Sequence, residues 1–207
     1  MAYSTSLDLD PGGSDSGPWL TWHAAPTRDG SAQPGQWSVR DSAGRAVVNL
    51  TAPGLVIDWP NARIGWMRTS GVPGVAPEKQ WSEDRAKLGR RPGEDWKKAV
   101  RVSVAYAPDA AATWEQAGVG ACATFAAVMA LLRENAADAQ LPKLPLLSFV
   151  GHDAVRVGAG TTLVGKFKLL RFVPRPLCLA EEEDDAEPVG PSWDTPTGKL
   201  LDDEIPW

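Results

Sequence analysis

The chain has 207 residues and 43% hydrophobic content, enough for one domain with its own core and short for two. Its net charge of −5 is unevenly spread: residues 1–178 carry 20 basic and 16 acidic side chains (+4), and residues 179–207 carry one and ten (−9). The two cysteines, Cys122 and Cys178, lie too far apart for a disulfide framework or a thiolate metal site, and no apolar run approaches the length of a membrane span.

Residues 1–17 and 179–207 are rich in Gly, Ser, Pro and acids and poor in aliphatics. They cannot bury enough apolar surface to order themselves, so the first reads as a flexible segment, the second as a disordered acidic tail, and the folded unit is predicted at 18–178. The N-terminus has neither a basic n-region nor an apolar h-region, which predicts an unexported, cytoplasmic protein.

Within that unit short strand-like runs alternate with turn residues. Pro18–His23 is the first. Gln36–Arg40 and Arg45–Leu50 flank the turn Asp41-Ser42-Ala43-Gly44 and should form a hairpin. Leu55–Trp59 and Ala62–Arg68 follow, with Pro60-Asn61 as the turn between them. Residues 70–95 hold four Gly, three Pro and many charges and read as a long functional loop. Lys97–Tyr106 alternates basic or small residues with β-branched ones, a half-buried strand. Thr113 and Gln116 have the spacing of a capping box, and Ala117, Ala121, Phe125, Val128 and Leu132 recur at helical spacing, so an amphipathic helix is predicted from Thr113 to about Glu134. Gly118 and Gly120 would each cost it about 1 kcal/mol relative to Ala while permitting close approach to a sheet. Leu146–Val150 and Leu163–Phe172 read as closing strands. The sum is a mainly β fold, a small antiparallel OB-like β-barrel with one packed amphipathic helix.

Eight of the ten tryptophans lie in the body, several interleaved with bases. Single-stranded DNA is held by indole faces that stack bases and cations that follow phosphates. Trp37 lies near Arg40 and Arg45; Arg63 and Arg68 flank Trp66; Lys79, Arg85 and Lys87 surround Trp81; Arg90 and Arg91 precede Trp96, and Lys97 follows it. Alternation along Lys97–Ser103 puts Lys97 and Arg101 on a polar face, as phosphate contacts. Against this stands core packing, the commoner fate of any single Trp. The cluster Arg85, Lys87, Arg90 and Arg91 reads equally well as a solvated loop. Neither His23 nor His152 sits in a nucleophile or metal motif, and no phosphate loop or dinucleotide fingerprint occurs. Asp58, Glu78, Asp84, Glu94, Asp95 and Glu115 could gather around Mg²⁺ as in a nuclease, but they read as scattered acids on a polar surface. No catalysis and no cofactor are expected.

The last six residues are Asp202, Asp203, Glu204, Ile205, Pro206 and Trp207. Three carboxylates precede two apolar anchors, and Pro206 biases Ile205 towards an extended backbone. An aromatic for a pocket, a carboxylate beside it and acids for a basic rim make a docking peptide. The segment resembles the tip of bacterial single-stranded-DNA-binding proteins, Asp-Asp-Asp-Ile-Pro-Phe: Asp202, Asp203, Ile205 and Pro206 match, Glu204 keeps the charge, and Trp207 replaces the Phe with a larger aromatic. The body lacks the usual sequence pattern of those proteins. Through Gly17–His23 and Gly71–Pro77 it resembles phage and prophage proteins of proteobacteria. The resemblance implies a sequence-tolerant coat for single-stranded DNA that recruits host replication, recombination or repair proteins through its tip. Self-association is left open, and no membrane partner is expected. Two other readings remain: a phage interaction or structural protein with an acidic recruitment tail and no DNA contact, and a Mg²⁺-dependent nuclease or recombination enzyme.

Overall fold

A computed structural model of the chain describes residues 17–70, 72, 75–82, 87–135, 142–158 and 160–180. Arg85, Asp84 and the tip residues Asp202 to Trp207 lie outside them. The fold is mainly β with one helix. The strands are β1 (Trp19–His23), β2 (Gln36–Asp41), β3 (Gly44–Val48), β4 (Leu55–Ile57), β5 (Arg63–Arg68), β6 (Glu78–Trp81), β7 (Lys97–Ala107), β8 (Ala110–Ala117), β9 (Leu144–Val157) and β10 (Gly160–Val173); α1 (Val119–Glu134) lies between β8 and β9.

One sheet runs β10-β9-β4-β7-β8-β1-β2-β3, and the ribbon β5–β6 branches from β7. β7 is long enough to serve two partners along one edge: Lys97–Arg101 pair with β5, and Val104–Ala105 with β4. Its other edge belongs to β8. All pairings are antiparallel except β1 with β8, so the ten-stranded sheet is mixed and mostly antiparallel. The sheet curls into a half-barrel, and its two ends are tied by bonds outside the ladders. The Trp22 indole of β1 donates to the Leu163 carbonyl of β10 (3.0 Å), and the Phe149 amide of β9 donates to the Leu50 carbonyl (2.9 Å).

The hairpin β2–β3 turns at Asp41–Gly44 as expected, with the Asp41 carboxylate accepting from the Ala43 and Gly44 amides. The helix starts later than the capping-box spacing predicted. Residues 113–117 continue β8, because its side chains alternate in and out of the core: Ala112 and Trp114 are buried. Gln116 is no capping partner. Its carboxamide accepts from the Trp22 amide (3.0 Å) and donates to the Trp22 carbonyl (2.7 Å), standing in for a strand neighbour of β1. Gly118 caps α1 at φ 113°, a conformation that suits glycine. Gly120 packs against β10: a Cβ there would lie 2.7 Å from Thr162 Oγ1. The long loop predicted over 70–95 also holds a strand, β6, paired to the free edge of β5.

The concave face of the sheet and α1 enclose the core. Trp22, Trp37 and Trp114 are at most 1% exposed, and Trp37 stands 5.1 Å from Trp22 and 5.0 Å from Trp114 between ring centroids. Phe125, Val128 and Leu132 of α1 and Val100, Val102 and Val104 of β7 complete it. The C-terminal end of the body is latched by Arg175, which makes two hydrogen bonds (2.7 and 2.8 Å) to the buried carboxylate of Asp58. No helix among the described residues is long and apolar enough to cross a membrane.

Candidate nucleic-acid interface

Registered partners on neighbouring strands project their side chains to the same face of a sheet. On the face opposite the core, that rule assembles a basic surface from residues far apart in sequence. Arg63 of β5 stands opposite Arg101 of β7, which stands opposite Glu115 of β8. Trp19 of β1 stands between Thr113 of β8 and Arg40 of β2, and Arg40 in turn stands opposite Arg45 of β3. Met67 brings in Lys79 on one side and Lys97 on the other; Gly65 brings in Trp81.

The ribbon β5–β6 turns back over this face, since Lys79 reaches both β8 and β1. Its ammonium lies 2.6 Å from a Glu115 oxygen and 5.5 Å from the centre of the Trp19 ring. Arg101 approaches the other Glu115 oxygen at 3.7 Å, so this carboxylate, 4% exposed, is neutralised from two sides. Arg40, Arg63 and Lys97 are exposed, and the sign of the face is positive. Trp81 is half-buried and lies on the glycine beneath it: a Cβ at Gly65 would come within 2.8 Å of the indole and overlap the Gln80 carbonyl. Ala99 and Ala117, in register with Gly65, keep the rest of that row low. Trp19 and Trp81 thus form partly exposed indole platforms among cations, an arrangement that can stack bases and neutralise phosphates.

The other side of the ribbon carries a second Trp–Arg set. The Trp66 indole donates to the Gly89 carbonyl (2.8 Å), and the Arg91 guanidinium sits 5.8 Å from its ring centre. Arg68 sits 5.5 Å from the Trp96 ring centre and pairs with Glu78 (2.5 Å) and Asp95 (3.3 Å). Hydrogen bonds that the Arg68 guanidinium donates to Glu78 and Asp95 raise its pKa above the ordinary value. Lys87 and Arg90 are exposed beside this set.

The sequence-predicted residues therefore divide. Arg63, Lys79, Trp81, Lys97 and Arg101 come together on the face opposite the core, with Arg40 and Arg45 at its far end. Trp66, Arg68, Arg91 and Trp96 gather behind them. Trp37 is corrected: its indole is enclosed by Trp22, Trp114 and Phe167, and no base can reach it. Arg45 is half-buried, 3.9 Å from Asp29 and hydrogen-bonded to Ser31. Burial, and secondarily the Arg45 charge, depress the pKa of the neighbouring His23, which bonds Ser38 at 2.7 Å. Trp19 was missed as a site residue, although Trp19-Thr21-His23 alternates with the core pair Leu20-Trp22. Of those acids, Asp58 pairs with Arg175, Glu78 and Asp95 with Arg68, and Glu115 with Lys79 and Arg101; among the described residues no group of His, Cys, Asp and Glu is placed to hold a metal ion. Compared with known proteins, the chain matches no family model, no curated protein and no solved structure.

Proposed function

We propose that this chain binds single-stranded DNA without sequence preference across the face opposite its core, and that its acidic tip recruits replication, recombination or repair proteins. The observation that carries the first part is the pair of in-register Arg–Arg neighbours, Arg63 with Arg101 and Arg40 with Arg45, with Trp19 and Trp81 among them. Arg101 is shared with Glu115 and Arg45 with Asp29, and their exposed strand neighbours Arg63 and Arg40 carry the positive charge out to solvent, where phosphates can meet it. The half-exposed indoles give the bases a stacking surface. Support for the second part is the match of Asp202, Asp203, Ile205 and Pro206 to the family tip and the separation of a basic body from an acidic tail. We read the curled sheet with its helix as an OB-like barrel, working in the cytoplasm of a bacterial host and encoded by a phage or prophage.

The test is binding to labelled oligo-dT and to duplex DNA at two salt concentrations. Tight, salt-sensitive binding to oligo-dT with tryptophan quenching is the expected result, because released counterions make affinity fall with salt. No binding at low salt overturns the reading in favour of a protein-interaction role; Mg²⁺-dependent loss of label overturns it in favour of a nuclease. Deleting residues 202–207 should leave oligo-dT binding equal or tighter while partner binding is lost.

A further inference from the structure

Helix α1 carries no charged side chain from Val119 to Leu132, yet it lies at the surface. Its inward face is the expected one, but its outward face is not polar: Val119 is 53% exposed, and Ala126, Ala127 and Ala130 are exposed with it. A helix apolar on all sides is normally buried on all sides. Apolar grooves run along both flanks. One, of about 570 Å³, lies between Met129 and Phe125 of α1 and Trp59 and Ile64. The other, of about 300 Å³, lies between Leu131 of α1 and Val155 and Val164 of the β9–β10 hairpin, where Val155 is 41% exposed and the Asp153–Lys166 ion pair stands at its edge.

We propose that a second copy of this chain covers this surface, with the two α1 helices side by side and parallel about a two-fold axis. Charge selects both the occupant and the orientation. At 3.6 residues per turn, the two charges that end the helix, Arg133 and Glu134, fall on opposite sides of the exposed face, roughly 40° and 60° from Val119. A two-fold axis along the helices brings the left flank of one against the right flank of the other, so Arg133 of each copy meets Glu134 of its mate. An antiparallel pair would instead set Arg133 against Lys98, which lines the same groove. Isologous contact of this kind needs a patch that is complementary to itself, and this one is. The alanines allow close approach of the two helix backbones.

Area sets the strength. A 16-residue helix is about 24 Å long, and a strip about 10 Å wide gives roughly 240 Å². A standard interface buries about 800 Å² per partner. The flanking grooves must be filled as well, and the dimer should dissociate on dilution in the micromolar range. This inference stands apart from the DNA-binding reading, since none of its residues lies on the basic face.

Sedimentation equilibrium of the full chain, freed of nucleic acid, tests it across the micromolar range. The expected weight-average mass rises with concentration towards twice 22.1 kDa. Ala130→Glu, exposed and so tolerated by the fold, should hold the protein monomeric, as should Arg133→Glu. The double exchange Arg133→Glu with Glu134→Arg restores the cross-copy pairs and should restore the dimer. A monomer at every concentration overturns the proposal, and so does a dimer that survives Ala130→Glu or a double exchange that fails to recover it.

Discussion

Two regions of this molecule use the same residue type to opposite ends. At the β1–β2–β8 end, Trp37 touches both Trp22 and Trp114, and all three exclude water. Along the β5–β6 ribbon and its neighbours, Trp19, Trp66 and Trp96 are half-exposed and each has a cation over its ring, and Trp81 lies on a glycine. The first set is held by packing with other rings, where edge-to-face contact adds to burial. The second is only partly buried, and three of its four rings have a cation nearby. What decides the role of a Trp here is strand parity and distance from the sheet's edge.

Trp37→Ala should have the largest effect of any tryptophan substitution. Its removal should lower unfolding stability by about 3–5 kcal/mol, read as a drop in urea midpoint; Trp81→Ala should cost far less in the same assay. A core-sized loss from Trp81→Ala would erase the distinction. In the reverse direction, Trp81→Ala or Trp19→Ala should weaken oligo-dT binding by the worth of one stacked base, about 1–3 kcal/mol, measured by fluorescence anisotropy. Arg63→Ala and Arg101→Ala sharpen the contrast between stacking and charge. Each should reduce the slope of log affinity against log salt by about 0.7 on single strands; Arg63→Ala should have a small effect on stability, whereas Arg101→Ala also removes one of the two cations at the buried Glu115 carboxylate and should lower it. Unchanged slopes would remove the arginine row from the interface.

The smallest expected effect concerns His23, behind the Arg45 end of the face. Its pKa is depressed in the fold, chiefly by burial. A depressed histidine binds fewer protons folded than unfolded, so its contribution is complete above the ordinary histidine pKa and is lost as pH falls through the folded value. Urea midpoints should fall on acidification from neutral pH, and His23→Gln should flatten that fall. An unchanged pH profile in the variant would assign the acid sensitivity to other groups.

Much of this fold was legible in the residues. Alternation gave the first two hairpin strands and β7, and the 3.6-residue period gave the buried stripe and the C-terminal end of α1. The start of α1 was misread because Thr113 and Gln116 satisfy a local capping pattern while the decisive partner of Gln116, the Trp22 backbone, is 94 residues away. β6 escaped notice because Glu78–Trp81 has no β-branched residue and forms only where β5 offers a free edge. Trp37 was grouped with Arg40 by nearness along the chain, yet an odd spacing of three puts them on opposite faces of β2. The basic face itself is half visible in the sequence: its cations stand out singly, but their assembly depends on registers between seven strands.

Ultraviolet cross-linking to oligo-dT followed by peptide mass spectrometry separates the two tryptophan sets. Nucleotide adducts are expected on Trp19 and Trp81 and on none of Trp22, Trp37 or Trp114. Adducts confined to α1 and the Trp59 groove, or no adducts at low salt, would contradict DNA binding across the basic face.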